Sequence, residues 1–218
     1  MWISWKRYQK ACCRRVPCGG SVGVWSSQGC VRCDNVPARW LTYSIDFWDL
    51  GHELFKSNPK IFPVPLDVFD PTILEPISPH NNAPATPLPT LSSLASLNPL
   101  SGHVSIIHAS LFFHLFSEER QLHLARALAG LLSPEPGSVI LGLQMGCLVK
   151  DTKQTIDGIT LYGHSPESWE QLWDGQVFDQ GKVKVEVSES LQRIEPSNIL
   201  KAKDDINTFV LAWSVTRV

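Results

Sequence analysis

The stretch that decides the fold is residues 104–132, which read VSIIHASLFFHLFSEERQLHLARALAGLL. It opens with Val104–Ala109 (VSIIHA), a continuous apolar run that predicts a strand buried on both faces of a parallel sheet. Ser117–Leu132 then predicts a helix, because Ser117 can cap the first turn and leucines recur at helical spacing along one face. A buried strand followed by an amphipathic helix is the repeating unit of an α/β fold.

The same alternation continues on both sides of this stretch. Further strands are predicted at Arg39–Asp46, Ile61–Phe69, Ser138–Gly142, Lys182–Ser188 and Thr208–Thr216. Further helices are predicted at Phe47–Lys56 and at Ser165–Leu172, which starts with a capping pattern. Strands separated by helices predict a mostly parallel, doubly wound, Rossmann-like sheet. The last two strands have no helix between them, which predicts an antiparallel C-terminal hairpin at one edge.

Residues 71–100 interrupt the alternation. They contain seven prolines, many small polar residues and no lysine or arginine, which predicts a loop without a core of its own. The expected organisation is therefore an irregular leader at residues 1–35, followed by one α/β domain at residues 36–218 that includes this proline-rich loop.

Composition excludes several classes of protein. The 218 residues carry 19 Lys or Arg and 21 Asp or Glu, and the formal net charge of −2 argues against a globally basic nucleic-acid binder. No apolar run approaches the roughly 20 residues that a membrane span needs. The basic start, MWISWKRYQK, lacks the apolar stretch of a signal peptide. We expect a cytoplasmic protein with reduced cysteines and no nucleic-acid partner.

Positive charge and cysteine are concentrated near the N-terminus. The first 40 residues carry a net charge of +6, the remaining 178 carry −8, and five of the six cysteines lie in the first segment. Cys30 and Cys33 form a CxxC pair that would make a tetrahedral zinc site with two of Cys12, Cys13 and Cys18. Because neither a second CxxC nor a histidine accompanies the pair, we favour an irregular leader with free thiols and predict no metal.

Polar side chains follow the predicted strands at their carboxyl ends, where doubly wound sheets bind ligands. Asp46 ends one strand, at a position where an acidic side chain accepts hydrogen bonds from a ribose diol. Asp67 ends the next, where a carboxylate can accept from an adenine amine. His108 and His114 follow the strand at 104–109, and either a packed core role or a pocket-lining role fits them.

Five stretches together resemble the class I S-adenosyl-L-methionine (SAM)-dependent methyltransferases, above all the fungal enzymes of polyketide, α-pyrone and meroterpenoid pathways. They are FWDLGHELF (47–55), LDVFD (66–70), VSIIHASLFFHLF (104–116), LSPEPGSVILGLQMG (132–146) and HSPESWEQLW (164–173). The resemblance implies SAM as cofactor, with Asp46 at the ribose and the Asp67–Val68 pair at the adenine. It also implies that the methionine moiety and the substrate are bordered by His108, Ala109, Ser110 and His114.

The resemblance further implies O-methylation of a hydroxyl or carboxyl group on a small polyketide- or terpenoid-derived acceptor, and leaves a homodimer open. The family's first strand ends in an acidic, glycine-rich turn, whereas Gly19, Gly20 and Gly23 follow no acidic residue, so this strand and loop are expected to be degraded. An inactive methyltransferase-like partner or remnant is one alternative. A nucleotide-dependent oxidoreductase is another, although the GxGxxG that it needs is absent.

The acceptor decides which side chains the reaction needs. A carboxylic acid or an enolic hydroxyl is ionised near neutral pH and needs little base catalysis, whereas a phenol or alcohol needs a general base. His114 is the first candidate for that base and His108 the second. Trp169 and Trp173, with the 71–100 loop, either cover an apolar acceptor or pack a helix on the sheet. No Walker loop, GxSxG or HExxH motif is present.

Overall fold

The computed structural model describes residues 21–24, 38–42, 64–65, 67–90, 94–154, 160–193 and 208–218. Within them, seven strands form one sheet in the order β3-β2-β1-β4-β5-β9-β8, and β6 and β7 form a separate pair. The strands are β1 (Ser21–Val24), β2 (Ala38–Thr42), β3 (Val64–Pro65), β4 (Ile106–Ala109), β5 (Val139–Cys147), β6 (Asp151–Gln154), β7 (Thr160–Gly163), β8 (Val183–Arg193) and β9 (Thr208–Arg217). The helices are α1 (Glu118–Leu131) and α2 (Pro166–Trp173), and 3-10 turns lie at Asn98–Leu100 and Phe113–Leu115.

The directions of the strands agree with the predicted α/β architecture. The five strands from β3 to β5 in the sheet order are mutually parallel. The strands β9 and β8 continue the sheet in antiparallel pairing, which confirms the C-terminal hairpin. The chain moves outward from β1 to β3 and then returns to β4 on the other side of β1, so the strand order reverses between β1 and β4. In open α/β sheets that reversal point is where ligands bind.

The first strand is short but central. Ser21–Val24 pairs in parallel register with β2 on one side and with β4 on the other. The segment expected to be an irregular leader therefore contributes a strand to the middle of the sheet. The glycines at positions 19, 20 and 29, the five leader cysteines and the helix predicted at Phe47–Lys56 lie outside the described residues.

Both helices begin where their caps predict. Ser117 Oγ accepts a hydrogen bond from the backbone N–H of Arg120 at the start of α1. At the start of α2, Ser165 Oγ accepts from the N–H of Ser168 at 3.2 Å, and Ser168 Oγ accepts from the N–H of Ser165 at 2.9 Å. This reciprocal pair is a capping box, with Pro166 at the first helical position.

An aromatic cluster forms the centre of the core on one side of the sheet. Trp213 of β9 packs against Phe113, Trp169 and Trp173, with ring centroids 5.0–5.9 Å apart. All four side chains are almost fully buried. We call the side of the sheet that carries Trp213 the aromatic face. Ring pairs at these distances stabilise beyond the apolar area that they bury, by about 0.5–1.5 kcal/mol each.

The proline-rich loop is integrated into this core. Leu74, Leu97 and Leu100 are completely or almost completely buried and join the same hydrophobic cluster as the sheet and α1. The loop is also tied to the last strand, because the guanidinium of Arg217 donates to the carbonyl of His80 at 2.6 Å. The segment therefore has no separate core, as expected, but it supplies part of the common one.

Three elements differ in length or existence from their prediction. The strand expected at Ile61–Phe69 is reduced to Val64–Pro65 within the described residues, and a turn follows at 68–69. The strand expected at Ser138–Gly142 extends to Cys147, because β9 pairs with it along its whole length. The β6–β7 pair was not predicted, since its polar residues lack the apolar alternation of a half-buried strand.

Candidate functional site

The carboxyl ends of the parallel strands lie at one edge of the sheet. Val24, the last residue of β1, lies opposite Ala109, the last residue of β4. Thr42, the last residue of β2, lies opposite Pro65, the last residue of β3. The segments that follow β3 and β4 therefore leave the sheet at the same edge, and most of the predicted site residues lie in these two segments.

The segment after β3 presents a carboxylate beside an apolar side chain. Asp67 is exposed, and one of its carboxylate oxygens accepts from the N–H of Phe69 at 2.9 Å, which fixes the turn. Val68 is buried. The ring of Phe69 packs edge-on against Phe116 at 4.9 Å and lies under the guanidinium of Arg120 at 4.5 Å. These contacts bring the Asp67–Val68 pair next to the segment that follows β4.

After Ala109, a side-chain oxygen takes the place of a backbone carbonyl as acceptor in the hydrogen-bond ladder between β4 and β5. Ser110 Oγ accepts from the N–H of Leu143 at 3.1 Å, and the N–H of Leu111 donates to the carbonyl of Leu143 at 2.6 Å. Leu111 has a φ of +53°, a left-handed conformation that costs a bulky residue roughly 1–2 kcal/mol. Gly142 is required beside this turn, because a Cβ there would clash with the carbonyl of Ala109. The β4 chain is thus forced out of the sheet at its carboxyl end.

The side chain of His108 forms a hydrogen bond with a residue of this turn. Its Nε2 lies 2.8 Å from Ser110 Oγ, and burial lowers the pKa of the imidazole. His108 lies opposite Leu141, which in turn lies opposite Ser214, so its side chain is on the face of the sheet away from Trp213. The two predicted site residues His108 and Ser110 are therefore bonded to each other, and Ser110 also completes the ladder.

His114 lies in the 3-10 turn at Phe113–Leu115, which packs against β5 and β7. The side chain is buried, and its Nδ1 has no hydrogen-bond partner among the residues that the structure describes. Burial lowers the pKa of His114 to about 4, so its ring is neutral at neutral pH. A buried ring nitrogen without a partner is costly, which makes His114 a candidate for contact with a bound molecule.

A second buried histidine near this edge was not singled out from the sequence. His164 follows β7 and is only 2% exposed, and its Nδ1 lies 2.9 Å from Ser168 Oγ. Its Nε2 is buried without a partner in the described part of the chain. Burial, the main cause, lowers the pKa of His164 to about 4. The one signal in the sequence was its position immediately before the Ser165 cap, which identified a helix start but assigned no role to the imidazole.

A charged network borders His164. Lys150 Nζ lies 2.7 Å from Glu118 Oε1, and both side chains are about half exposed. The Lys150 hydrogen bond is the main cause of the lowered pKa of Glu118, and the Tyr162 hydroxyl donates to the same carboxylate. Burial and this bond raise the pKa of Tyr162 above its usual range. The ring of Tyr162 contacts His164 with centroids 5.2 Å apart.

The remaining predicted site features have a packing role or lie outside the described residues. Trp169 and Trp173 are fully buried in the aromatic cluster, which fits helix packing. Asp46 lies outside the described residues, as do the leader cysteines considered for zinc. Across the described ranges, no group of three or more His, Cys, Asp and Glu side chains is placed to hold a metal ion. Within the same ranges, no helix has the length and apolar character needed to cross a membrane.

The sequence is similar to fungal methyltransferases. The O-methyltransferase phiE of a fungal species is 30% identical over 153 residues, which are 67% of this chain and 44% of the relative. The methyltransferase ausD of Penicillium brasilianum is 30% identical over 178 residues, 79% of this chain and 54% of the relative. The Asnovolin E/Chermesin D methyltransferase nvfJ of Aspergillus novofumigatus is 30% identical over 124 residues, 56% of this chain and 42% of the relative. The chain thus spans about half the length of these relatives, and no protein-family model matches it.

Solved structures with the same fold are distant in sequence. A SAM-dependent methyltransferase of Methanosarcina mazei has a TM-score of 0.55 at 5% identity, with 100% of this chain and 98% of that one covered. The [4+2]-cyclase SpnF has a TM-score of 0.56 at 10% identity, with 97% and 80% covered. The 1,6-didemethyltoxoflavin N1-methyltransferase of Burkholderia thailandensis, crystallised with S-adenosylhomocysteine, has a TM-score of 0.51 at 6% identity, with 92% and 72% covered.

These comparisons confirm two predictions. The chain is similar in sequence to fungal methyltransferases of secondary metabolism, as the five stretches indicated. Its sheet is that of the class I SAM-dependent methyltransferases, mostly parallel with an antiparallel hairpin at the end. The cyclase among the structures with this fold illustrates that the fold alone does not define the reaction.

Proposed function

We propose that the chain binds SAM and transfers its methyl group to an oxygen of a small acceptor in fungal secondary metabolism. The acceptor would be a hydroxyl or carboxyl group of a polyketide, an α-pyrone or a meroterpenoid. The observation that carries this proposal is the placement of the Asp67–Val68 pair beside the segment after β4, at the carboxyl edge of a methyltransferase sheet. The similarity to fungal methyltransferases supports the same activity.

The described residues fit SAM. An exposed carboxylate held by a turn, such as Asp67, can accept a hydrogen bond from the adenine amine, and buried Val68 offers apolar contact for the ring. Ala109 is small and lies at the reversal point between β1 and β4, where a ligand can approach the backbone. We assign Asp46 to the ribose on the resemblance alone. Bound SAM would supply an activated methyl group on a positively charged sulfur.

The protein must then hold the acceptor oxygen in line and keep water out. His114 remains our first candidate for contact with the acceptor, because it is buried and its Nδ1 has no partner among described residues. His108 becomes less suitable as a base, since its Nε2 is already bonded to Ser110. We further infer a cytoplasmic enzyme with a small-molecule acceptor, without a nucleic-acid partner and open to homodimer formation, on the charge balance and the resemblance.

Calorimetric titration with SAM and S-adenosylhomocysteine tests this proposal. We expect micromolar binding by the unmodified chain and a loss of about tenfold or more for Asp67→Ala, the usual cost of one hydrogen bond to a charged group. Asp179→Ala is the matched control, because it removes an exposed carboxylate from the loop before β8. Equal affinity in Asp67→Ala and the unmodified chain would remove Asp67 from the site. A folded chain that binds neither ligand would favour the inactive methyltransferase-like alternative.

A further inference from the structure

Leu111 has the most unusual backbone conformation near the candidate site. Its φ of +53° makes it the one residue other than glycine with a positive φ in the described ranges. It lies two residues beyond the end of β4, at the edge where the strand order reverses. Strained backbone of this kind persists only where its surroundings enforce it, and such residues cluster at ligand-binding sites. The contacts on each side of Leu111 show what enforces its conformation.

On the strand side of Leu111, hydrogen bonds fix the chain to β5. Ser110 Oγ accepts from the backbone N–H of Leu143, and the N–H of Leu111 donates to the carbonyl of the same residue. His108 Nε2 also contacts the Ser110 hydroxyl, at 2.8 Å. We call residues 110–112 the Leu111 turn. Because the start of this turn is fixed to β5, the φ of Leu111 sets the direction in which the chain continues.

On the other side of Leu111, three phenylalanine rings lead to the segment after β3. The ring of Phe112 packs edge-on against Phe116 at 5.1 Å, and Phe116 packs edge-on against Phe69 at 4.9 Å. Phe69 in turn donates its backbone N–H to the carboxylate of Asp67. We call Phe112, Phe116 and Phe69 the phenylalanine bridge. The bridge connects the Leu111 turn to the Asp67–Val68 pair, which we assign to the adenine of SAM.

The phenylalanine bridge is a substantial part of what holds this pair in place. In the described part of the chain, β3 has only two paired residues, so the sheet itself gives the following segment little support. Val68 is buried in the same hydrophobic cluster as Phe112, and the other two rings of the bridge pack against that cluster. The helix α1 adds the exposed guanidinium of Arg120 over the ring of Phe69. A shift of the bridge would therefore displace the carboxylate and the apolar contact together.

We propose that Ser110 is a positioning residue of the cofactor site. Its hydroxyl closes the Leu111 turn on β5, and the phenylalanine bridge couples the position of that turn to the Asp67–Val68 pair. This inference rests on the proposed binding of SAM. Ser110 acts through the turn and needs no contact with the cofactor, so its role differs from the direct contact that the resemblance implied. When the turn is lost, the apparent affinity for the cofactor falls in proportion to the fraction of chains that keep the pair in place.

Two substitutions of Leu111 separate the conformation of the turn from its packing. Leu111→Ile keeps the apolar volume but moves the branch to Cβ, where a left-handed backbone leaves little room. Leu111→Asn loses the apolar side chain but adopts a left-handed backbone readily. In calorimetry with S-adenosylhomocysteine, we expect a loss of affinity of about fivefold or more for Leu111→Ile and about twofold or less for Leu111→Asn. A role in packing alone would lower the urea midpoint most in Leu111→Asn and leave the two affinities equal.

A double-mutant cycle tests whether Ser110 acts through Asp67. We expect Ser110→Ala to lower the affinity for S-adenosylhomocysteine about fivefold in the unmodified chain, and about twofold or less when Asp67→Ala is already present, because the effects of coupled residues are not additive. Ser133→Ala is the matched control, since it also removes a hydroxyl that accepts a backbone N–H, that of Glu135 at 3.2 Å, in the loop before β5. We expect this control to leave the affinity unchanged in both backgrounds.

Hydrogen exchange of the unmodified chain provides the test if Ser110→Ala does not fold. Binding of S-adenosylhomocysteine should slow exchange of the Leu143 N–H more than exchange of the bonded N–H of Val139, at the amino end of β5. Three results would overturn the role of Ser110: equal affinity in Leu111→Ile and the unmodified chain, the same effect of Ser110→Ala in both backgrounds, or equal slowing at the two amides. Absence of S-adenosylhomocysteine binding by the unmodified chain would instead overturn the proposed function, and this inference with it.

Discussion

The molecule contains two serine–histidine pairs near the ends of β4 and β7, and different nitrogens of the imidazole contact the serine in each. At the end of β4, His108 Nε2 and Ser110 Oγ are 2.8 Å apart, and after β7, His164 Nδ1 and Ser168 Oγ are 2.9 Å apart. In the first pair Nε2 of the imidazole contacts the serine, whose oxygen also accepts from the N–H of Leu143. In the second pair Nδ1 contacts the serine, whose oxygen also accepts from the N–H of Ser165.

The comparison shows that the role of each histidine depends on the backbone groups to which its serine is bonded. In the β4 pair, Nε2 is the nitrogen that faces the serine, and the serine completes a sheet ladder. In the α2 pair, Nδ1 faces the serine, and Nε2 is left buried without a partner among the described residues. The same two residue types thus complete a sheet ladder in one place and, in the other, anchor an imidazole whose Nε2 has no partner among the described residues.

The largest expected effect comes from a substitution that disrupts the close backbone packing of β4 against β5, beside the first pair. Gly142→Ala would place a Cβ against the carbonyl of Ala109, and backbone cannot move away as a flexible side chain can. We expect a loss of roughly 3 kcal/mol in the free energy of unfolding, measured by urea denaturation. The matched variant is Gly146→Ala, beside the second pair, whose Cβ would meet the Phe209 side chain at 2.9 Å. An equal or larger loss in Gly146→Ala would contradict the rigid fit of β4 against β5.

The next largest effect concerns stability at acidic pH, and it comes from His164 of the second pair. The folded pKa of His164 is about 4, below the value of about 6.5 for an unfolded chain. The unfolded state therefore binds more protons between these values, so stability is complete above pH 6.5 and falls as the pH drops toward 4. Between pH 7 and pH 5 we expect His164 to account for a loss of roughly 2 kcal/mol.

His164→Gln isolates that contribution. The urea midpoint of this variant should fall less between pH 7 and pH 5 than that of the unmodified chain. His114, whose folded pKa is also about 4, should give a similar and separate contribution when it is replaced by glutamine. The same pH dependence in His164→Gln and the unmodified chain would mean that His164 is not held neutral by burial.

The smallest expected effect is the loss of the second serine. Ser168→Ala removes one half of the capping box and the hydroxyl that contacts His164 Nδ1, and should cost about 1 kcal/mol in thermal unfolding. Ser110→Ala is the comparison, and should cost at least as much, because the N–H of Leu143 loses its partner. A stability change in Ser168→Ala well above that in Ser110→Ala would reverse our view of which serine has the structural role.

The sequence predicted those parts of the fold that depend on local pattern. The strand at Val104–Ala109, the Ser117 cap and the capping box at Ser165 follow from apolar runs and from side chains that bond nearby N–H groups. The β6–β7 pair did not follow, because it is held by distant contacts such as that of Gln121 with the Tyr162 carbonyl. The burial of Leu74 and Leu97 was missed for the same reason: their partners are remote in sequence.

For the candidate site, the sequence predicted only which residues follow the carboxyl ends of the strands. The register of β1 to β4 places the segments of Asp67 and His114 at one edge, as the parallel sheet requires. The sequence could not show that Ser110 would be used to complete the ladder. Nor could it indicate His164, because the burial of its ring depends on packing against residues from several elements, which no local pattern encodes.

The contact between Arg217 and His80 has a consequence for the order in which the chain folds during synthesis. The two residues are separated by 137 positions, and Arg217 also lies over the ring of Phe178 at 5.1 Å. This contact between the proline-rich segment and the last strand therefore cannot form until residue 217 has left the ribosome. Until β9 has been synthesised, the edge of β5 that later pairs with β9 along its whole length has unpaired backbone N–H and C=O groups. A nascent chain with such an edge is prone to associate with other chains, so a chaperone that holds it until β9 arrives would raise the yield of folded protein.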